Sequence, residues 1–241
     1  MEPVRRRTGR ARRDGGTTVG GSRNSREDAV LVCGLGRFGA ATANALARLG
    51  HEVLAVDRDP QLVQEWSGRL THVVEADTTS TEALEQLGCS EFGIAVVSIG
   101  TSVESSVLTA VNLVDLGVKQ IWAKALTPTH GKILSRIGVH HVVYPEKDAG
   151  TRVAHLVTGK LLDYIEFDDG FAIVKMRAPR ETEGFTLAES QIRKKYGVTV
   201  VGVKSPGEDF TYAVADTRVG SHDVLIVSGH SELIEKFAAR P

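Results

Sequence analysis

The 241-residue sequence predicts an α/β protein, a Rossmann-like doubly wound parallel sheet followed by a small α+β lobe. Three observations carry that expectation. Short β-rich runs alternate with helical stretches from residue 29 to about 158, the pattern of a parallel sheet with helices on both faces. The first run, Ala29-Val30-Leu31-Val32-Cys33, leads into glycines at 34, 36 and 39, the G-x-G-x-x-G spacing that binds a pyrophosphate at a helix start. The texture changes after Gly159, where strands outnumber helices.

Six strands are expected at 29–33, 52–56, 72–75, 94–98, 120–125 and 141–143. Helices are expected between them at 38–49, 61–66, 81–87, 103–116 and 128–137. A helix over 148–158 leads out of the sheet. Within 103–116, Val107, Ala110, Val111 and Val114 fall at the spacing of one buried stripe, and Gly117 supplies the stop. Beyond Gly159, 161–167 and 172–178 flank Asp168-Asp169-Gly170 and predict a hairpin. Strands at 198–204 and 224–228 and helices at 187–194 and 231–237 complete the second lobe. The expected domains are a tail over 1–27, a nucleotide-binding domain over 28–145, a connecting helical segment over 146–160 and a second domain over 161–241.

Composition narrows the function. With 41% hydrophobic and 24% charged residues, a sizeable core can be buried. No apolar run reaches the roughly 18 residues of a membrane span, and the N-terminus lacks a secretory apolar region, so a cytosolic protein is expected. Cys33 and Cys89 suit reduced thiols. The net charge of −1 hides an asymmetry. Residues 1–26 hold eight arginines against Glu2 and Asp14, leaving 21 basic and 28 acidic residues in the rest. That tail lacks apolar periodicity and is expected to be disordered, with no specific nucleic-acid partner. The eight histidines form no metal-hydrolase or nucleophilic set, and a nucleotide bound with no chemistry beside it suits a signal better than a reagent.

The candidate site residues follow from the sheet. In Gly34-Leu35-Gly36-Arg37-Phe38-Gly39, the first glycine makes the turn, the second admits phosphate to the backbone and the third packs helix on strand. Arg37 can offer paired donors to phosphate oxygens. Asp57, ending the second strand, can accept both ribose hydroxyls and repels a 2′-phosphate, while Arg58 leaves NADP open. Asp77, beside Thr78, either accepts from the adenine amino group or caps the helix at Thr81. Ser98-Ile99-Gly100 lies at the topological switch point. Lys124 adds a phosphate charge or is an ordinary strand-end lysine. Glu146 either holds a divalent ion against phosphate or is a first-turn acid after Pro145.

With these motifs in hand, the chain from about residue 29 onward resembles the cytosolic potassium-transport regulators of the KtrA/TrkA type, built from RCK domains. The resemblance rests on Gly-Leu-Gly-Arg-Phe-Gly at 34–39, His-Glu-Val-Leu-Ala-Val-Asp at 51–57, Glu-Ala-Asp-Thr-Thr at 75–79 with Glu82-Ala83-Leu84, Trp-Ala-Lys-Ala at 122–125 and Pro-Glu-Lys-Asp at 145–148. In the second lobe it rests on Leu162-Asp163-Tyr164-Ile165, Lys195-Tyr196-Gly197 and Asp-Val-Leu-Ile-Val at 223–227.

The resemblance implies a nucleotide-binding N-lobe, a crossover helix and a C-lobe, assembled as dimers into a ring, an octamer, on the inner face of the cell membrane. There the ring docks on a membrane potassium-translocating subunit. The implied ligand is ATP or ADP, with NAD or NADH as the TrkA-type alternative. It also implies that Arg37 senses the terminal phosphate, Asp57 the ribose and Asp77 the adenine. Lys124 and Glu146 would act where lobes pair, Glu146 through Mg2+ or another bridging cation. Cyclic di-AMP is an implied C-lobe ligand, held by apolar side chains at no position that can be matched here. Glu75 departs from the pattern, standing where many relatives carry a small residue. The rival is an NAD-dependent oxidoreductase on the same lobe, although Lys194 and Tyr196 lack the Tyr-x-x-x-Lys spacing of short-chain reductases. A DNA-binding redox repressor would need a winged helix.

Overall fold

A computed structural model describes residues 28–240. The arginine-rich tail and its expected disorder lie outside these residues. The chain divides into two compact units between Val143 and Tyr144.

The first unit is a six-stranded parallel sheet. Its strands are β1 (Val30–Cys33), β2 (Val53–Asp57), β3 (His72–Glu75), β4 (Ile94–Val97), β5 (Gln120–Lys124) and β6 (His141–Val143). They are ordered β3-β2-β1-β4-β5-β6, so the chain reverses direction across the sheet between β1 and β4. The helices are α1 (Arg37–Arg48), α2 (Pro60–Trp66), α3 (Thr81–Gln86), α4 (Val103–Asp115) and α5 (Pro128–Arg136). Val30 and Val32 of β1 and Val53 and Ala55 of β2 are buried with Ala40 and Ala43 of α1, and Leu62 and Trp66 of α2 close over them. Central strands buried on both faces read as unbroken apolar runs, which is how β1 and β4 are written.

Local sequence fixes where the helices begin. Side chains of Asp59, Ser80, Ser102 and Thr127 each accept a backbone N–H at the starts of α2, α3, α4 and α5. Pro60 and Pro128 stand in the first turns of α2 and α5, where a missing N–H costs nothing. The start of α1, at Gly36, carries no side-chain cap.

The buried stripe of α4 differs from the expected one. Ser106, Thr109, Ala110 and Leu113 are its buried residues, while Val107, Val111 and Val114 are only half-buried. The hydroxyls decide this rotation. Thr109 pairs with Thr78 at 2.9 Å in the interior, and Asn112 donates to the Thr79 carbonyl at 2.9 Å. The helix therefore turns its small polar residues towards the loop after β3 and lets the bulkier valines flank the seam.

The second unit opens with α6 (Pro145–Leu156), which packs on β7 (Leu161–Glu166). It starts three residues earlier than expected because Pro145, with its fixed φ, initiates it. Strands β8 (Phe171–Arg177), β9 (Thr199–Lys204), β10 (Thr211–Tyr212) and β11 (Val224–His230) complete an antiparallel sheet in the order β10-β9-β11-β8-β7. The short β10 carried no alternating pattern to betray it. The single helix expected over 187–194 is two, α7 (Leu187–Ser190) and α8 (Ile192–Tyr196), separated by Gln191 at φ 50°. The last helix, α9 (Ser231–Ala238), buries Ile234 and Phe237 in a core with Val174, Met176, Leu225 and Val227.

Candidate nucleotide-binding site

The ends of β1, β2, β3 and β4 surround a cleft of about 220 Å3 at the switch point. The glycine turn forms one wall. Gly34 adopts φ +99°, a conformation that costs a side-chain-bearing residue, and donates its N–H to the Val56 carbonyl at 2.7 Å. A methyl group at Gly39 would lie 1.9 Å from the Gly34 carbonyl oxygen and 2.2 Å from Ser98 Oγ, so helix and turn touch there. A methyl group at Gly36 meets nothing within 4 Å. The third glycine is thus filled by protein and the second faces open space.

That space lies over the uncapped start of α1. The first intrahelical bond is donated by the Ala40 N–H to Gly36 O at 2.9 Å, so the amides of Arg37, Phe38 and Gly39 precede the ladder. Their dipoles favour an anion. The first turn contains no acid. Arg37 is exposed on this turn, outside the cleft lining.

Asp57 joins the turn to the second strand. Its Oδ2 accepts the Leu35 N–H at 2.5 Å and its Oδ1 accepts the Asp59 N–H at 2.8 Å. Each oxygen keeps a further lone pair for a hydroxyl donor. Ser98, at the end of β4, donates its hydroxyl to the Gly34 carbonyl at 2.6 Å, with the Cys33 carbonyl also at 2.9 Å. Its proton is engaged in tightening the turn.

Asp77 accepts both the N–H and the hydroxyl of Thr79 on Oδ1, at 2.9 and 2.7 Å. The cap of α3 is Ser80, which corrects the expectation that Asp77 could cap that helix. A short loop separates Asp77 from the helix start, and the serine reaches first. The Thr79 hydroxyl above all, then its N–H and the nearby Arg58, hold the Asp77 carboxyl below its ordinary range. A depressed carboxyl stabilises the fold above its unfolded pKa, and that contribution disappears as pH falls through the folded value. The difference in thermal midpoint between wild type and Asp77→Asn is therefore expected to shrink below about pH 4 and to stay constant from pH 6 to 9. A difference that changes between pH 6 and 9 would show that another group titrates with it.

Of the sequence candidates, Gly34, Gly36, Asp57, Arg58, Asp77, Thr78, Ser98, Ile99 and Gly100 line the cleft. Leu35, Arg37, Phe38, Gly39 and Lys124 do not. Leu35 is buried and contributes its backbone N–H to Asp57. Phe38 is half-buried, with Lys124 Nζ 6.0 Å from its ring centre. Lys124 itself is 8% exposed, and its Nζ would lie 3.3 Å from a methyl at Gly100, immediately behind the wall.

The cleft thus has two electrostatic ends. Asp57, Asp59 and Asp77 face Arg58 alone among charged lining residues, which suits hydroxyl and amino donors and disfavours a 2′-phosphate. The other end, Gly36 and the first amides of α1, has no acid in its first turn and suits an anion.

A family model described as the TrkA-N domain matches residues 30–145. The chain is 38% identical over 210 residues to Ktr system potassium uptake protein C of Bacillus subtilis (strain 168), covering 87% of this chain and 95% of that protein. It is 34% identical over 207 residues to Ktr system potassium uptake protein A of the same organism, covering 86% and 93%. The chain belongs to the Ktr potassium uptake protein family. The RCK domain of GsuK shares the fold, with a TM-score of 0.63 at 17% identity over 91% of this chain. This Ktr family member spans about half of that GsuK chain, 49%. A GsuK channel bound to NAD superposes with a TM-score of 0.62, at 17% identity, over 90% of this chain and 40% of that one.

In this family member the cleft also recruits residues that the motif did not point to. Asp59, Leu62, Thr79, Thr101 and Ser105 line it. Asp59, directly before Pro60, carried a cap signal that could have found it, whereas Thr101, in the loop after β4, and Ser105, in the first turn of α4, carried none. Glu146 is an exposed acid in the first turn of α6, in the second unit. Among the described residues no group of three or more His, Cys, Asp or Glu could hold a metal ion. A divalent ion at the phosphates would draw most of its ligands from phosphate and water. Burial first, and then Cys89, pushes the Cys33 thiol far above its ordinary value, so Cys33 stays protonated.

Proposed function

We propose that this chain is the nucleotide-sensing regulatory subunit of a potassium uptake system, gating a membrane potassium-translocating subunit from the cytoplasmic side. The observation that carries the reading is the cradle at Gly36, open above the uncapped α1 start and flanked by Asp57 and Asp77, in a chain 34–38% identical to Ktr potassium uptake proteins. The phosphate end takes ATP or ADP, with Arg37 reaching the terminal phosphate and Lys124 adding charge behind Gly100. The acidic end takes the ribose and adenine. NAD or NADH is the alternative ligand, supported by the GsuK channel bound to NAD. Among the described residues no helix is long and apolar enough to cross a membrane. The pore is proposed to lie in a separate subunit, by likeness to the Ktr potassium uptake proteins.

The signal in this reading is the difference between two bound nucleotides. Switching a two-state assembly from 1:99 to 99:1 requires about 5.5 kcal/mol of differential affinity. One terminal phosphate held by Arg37 and a magnesium ion supplies about 1–3 kcal/mol, on the scale of charge-assisted hydrogen bonds. Several copies acting together reach the threshold, which is why a ring of dimers, an octamer, is part of the proposal. Glu146 is the carboxylate proposed to hold the divalent ion.

Titration calorimetry with ATP, ADP, NAD and NADH, each with and without magnesium, tests the reading. Saturable ATP and ADP binding is expected. Arg37→Ala should reduce discrimination between them about tenfold while sparing AMP. Glu146→Gln should remove the magnesium effect. Equal weakening of both nucleotides by Arg37→Ala would overturn its sensing role, and NADH oxidation with turnover would restore the oxidoreductase reading.

A further inference from the structure

The second unit contains a second cleft that the nucleotide site does not involve. It measures about 800 Å3 and is lined by Lys160, Arg177, Arg180, His222 and Arg240, with Glu183 as the one acid in its wall. Lys160, Arg177, Arg180 and Arg240 bring four cations together in a unit that is acidic as a whole, with 13 lysines and arginines against 15 aspartates and glutamates over residues 144–241.

Two ordinary explanations for such cations are ion pairing and helix ends. Among the described residues Lys160, Arg177 and Arg180 enter no ion pair. The neighbouring acids are engaged elsewhere. Glu181 accepts the Tyr196 hydroxyl at 2.5 Å, and Asp223 is buried and accepts the Gly220 N–H at 2.7 Å. Lys160 and Arg240 follow the C-terminal ends of α6 and α9, where carbonyl dipoles favour cations. Arg177 and Arg180 have no such reason. Arg177 ends β8 in register with Val224, and Arg180 opens a single 3-10 turn, Arg180–Thr182.

The segment that presents them is held in place. Ala178 donates its N–H to the Asp223 carbonyl at 3.0 Å, and Thr182, buried, donates its hydroxyl to the Pro179 carbonyl at 2.6 Å. Four lysines and arginines around a cleft with a single acid, Glu183, in its wall repel one another on balance, and an anion relieves that repulsion. Two guanidiniums lining one cleft, each able to donate two parallel N–H bonds, suit a ligand that carries phosphate groups.

We propose that this cleft binds a small polyphosphate-bearing molecule, with Arg177 and Arg180 as its principal contacts. It is a second anion site on the chain, separate from the nucleotide cradle. Its cationic lining also differs from the apolar side chains that the family resemblance implies for cyclic di-AMP.

The test uses inorganic tripolyphosphate in magnesium-free titration calorimetry of the full chain carrying Gly36→Asp, which silences the α1 cradle. Saturable binding is expected, weakened at least tenfold by Arg177→Ala/Arg180→Ala and less by Arg177→Lys/Arg180→Lys. Lys175→Ala/Lys204→Ala, removing two cations elsewhere on the same sheet, should leave the affinity unchanged within a factor of two. Absence of saturable binding would overturn the proposal. So would equal weakening by both alanine pairs, which would mark a diffuse charge effect.

Discussion

Gly39→Ala is expected to destabilise the first unit by about 3 kcal/mol or more, towards the upper end of what overpacking costs. The added carbon would sit 1.9 Å from the Gly34 carbonyl oxygen and 2.2 Å from Ser98 Oγ. Neither neighbour can yield easily. The Gly34 carbonyl is fixed by the turn at φ +99° and by the hydroxyl it accepts from Ser98, and Ser98 is buried in the same arrangement. Relief would require α1 to lift from β1, exposing Ala40 and Ala43, which are buried against Val30 and Val32. Urea denaturation followed by tryptophan fluorescence reads this directly, because Trp66 and Trp122 both belong to the first unit. A midpoint equal to that of wild type would show that α1 does not touch the turn as described.

Gly36→Asp is expected to do the opposite, leaving stability within about 0.5 kcal/mol of wild type while lowering nucleotide affinity by about a hundredfold or more. Gly36 has φ −61° and ψ 178°, an extended conformation open to any residue, and it occupies the cap position of α1. Aspartate is among the preferred caps, and the free space around this position accepts its side chain. Its carboxylate would then accept the amides that the proposed phosphate needs and repel the phosphate itself. Two or three lost charge-assisted bonds, at about 1.5–3 kcal/mol each, account for that loss and more. The same denaturation experiment and an ATP titration separate the outcomes. Retained ATP affinity would place the phosphate somewhere other than the α1 start.

The contrast between these two glycines shows what the sequence could express. Spacing alone marked both. The contacts at Gly39 are those of close packing, and the position at Gly36 is open. The parallel sheet was legible because buried strands such as Val30–Cys33 and Ile94–Val97 are unbroken apolar runs bounded by turns. The orientation of α4 was not, because hydrophobicity points to the valines whereas a hydroxyl pair between Thr78 and Thr109 sets the helix rotation. Pairing across 31 positions leaves no local signal.

At the cleft, Asp57 was visible as a strand-end acid, but its two backbone bonds to Leu35 and Asp59 depend on the folded turn. Asp77 was the cap candidate on paper, and only the folded loop shows that Ser80 takes that place. In the second unit, Gln191 at φ 50° divides a stretch whose composition reads as one continuous helix. The strand Thr211–Tyr212 is defined by its neighbour β9 and has no alternation of its own.

Nucleotide identity at the first cleft is proposed to control potassium movement through a partner. The most direct measurement is rubidium flux into proteoliposomes carrying the membrane potassium-translocating subunit, with and without this chain, in ATP and then in ADP. Flux is expected to depend on the nucleotide only when the wild-type chain is present, with the dependence lost in the Gly36→Asp chain. Flux unaltered by the wild-type chain in ATP, ADP, NAD and NADH alike would contradict it.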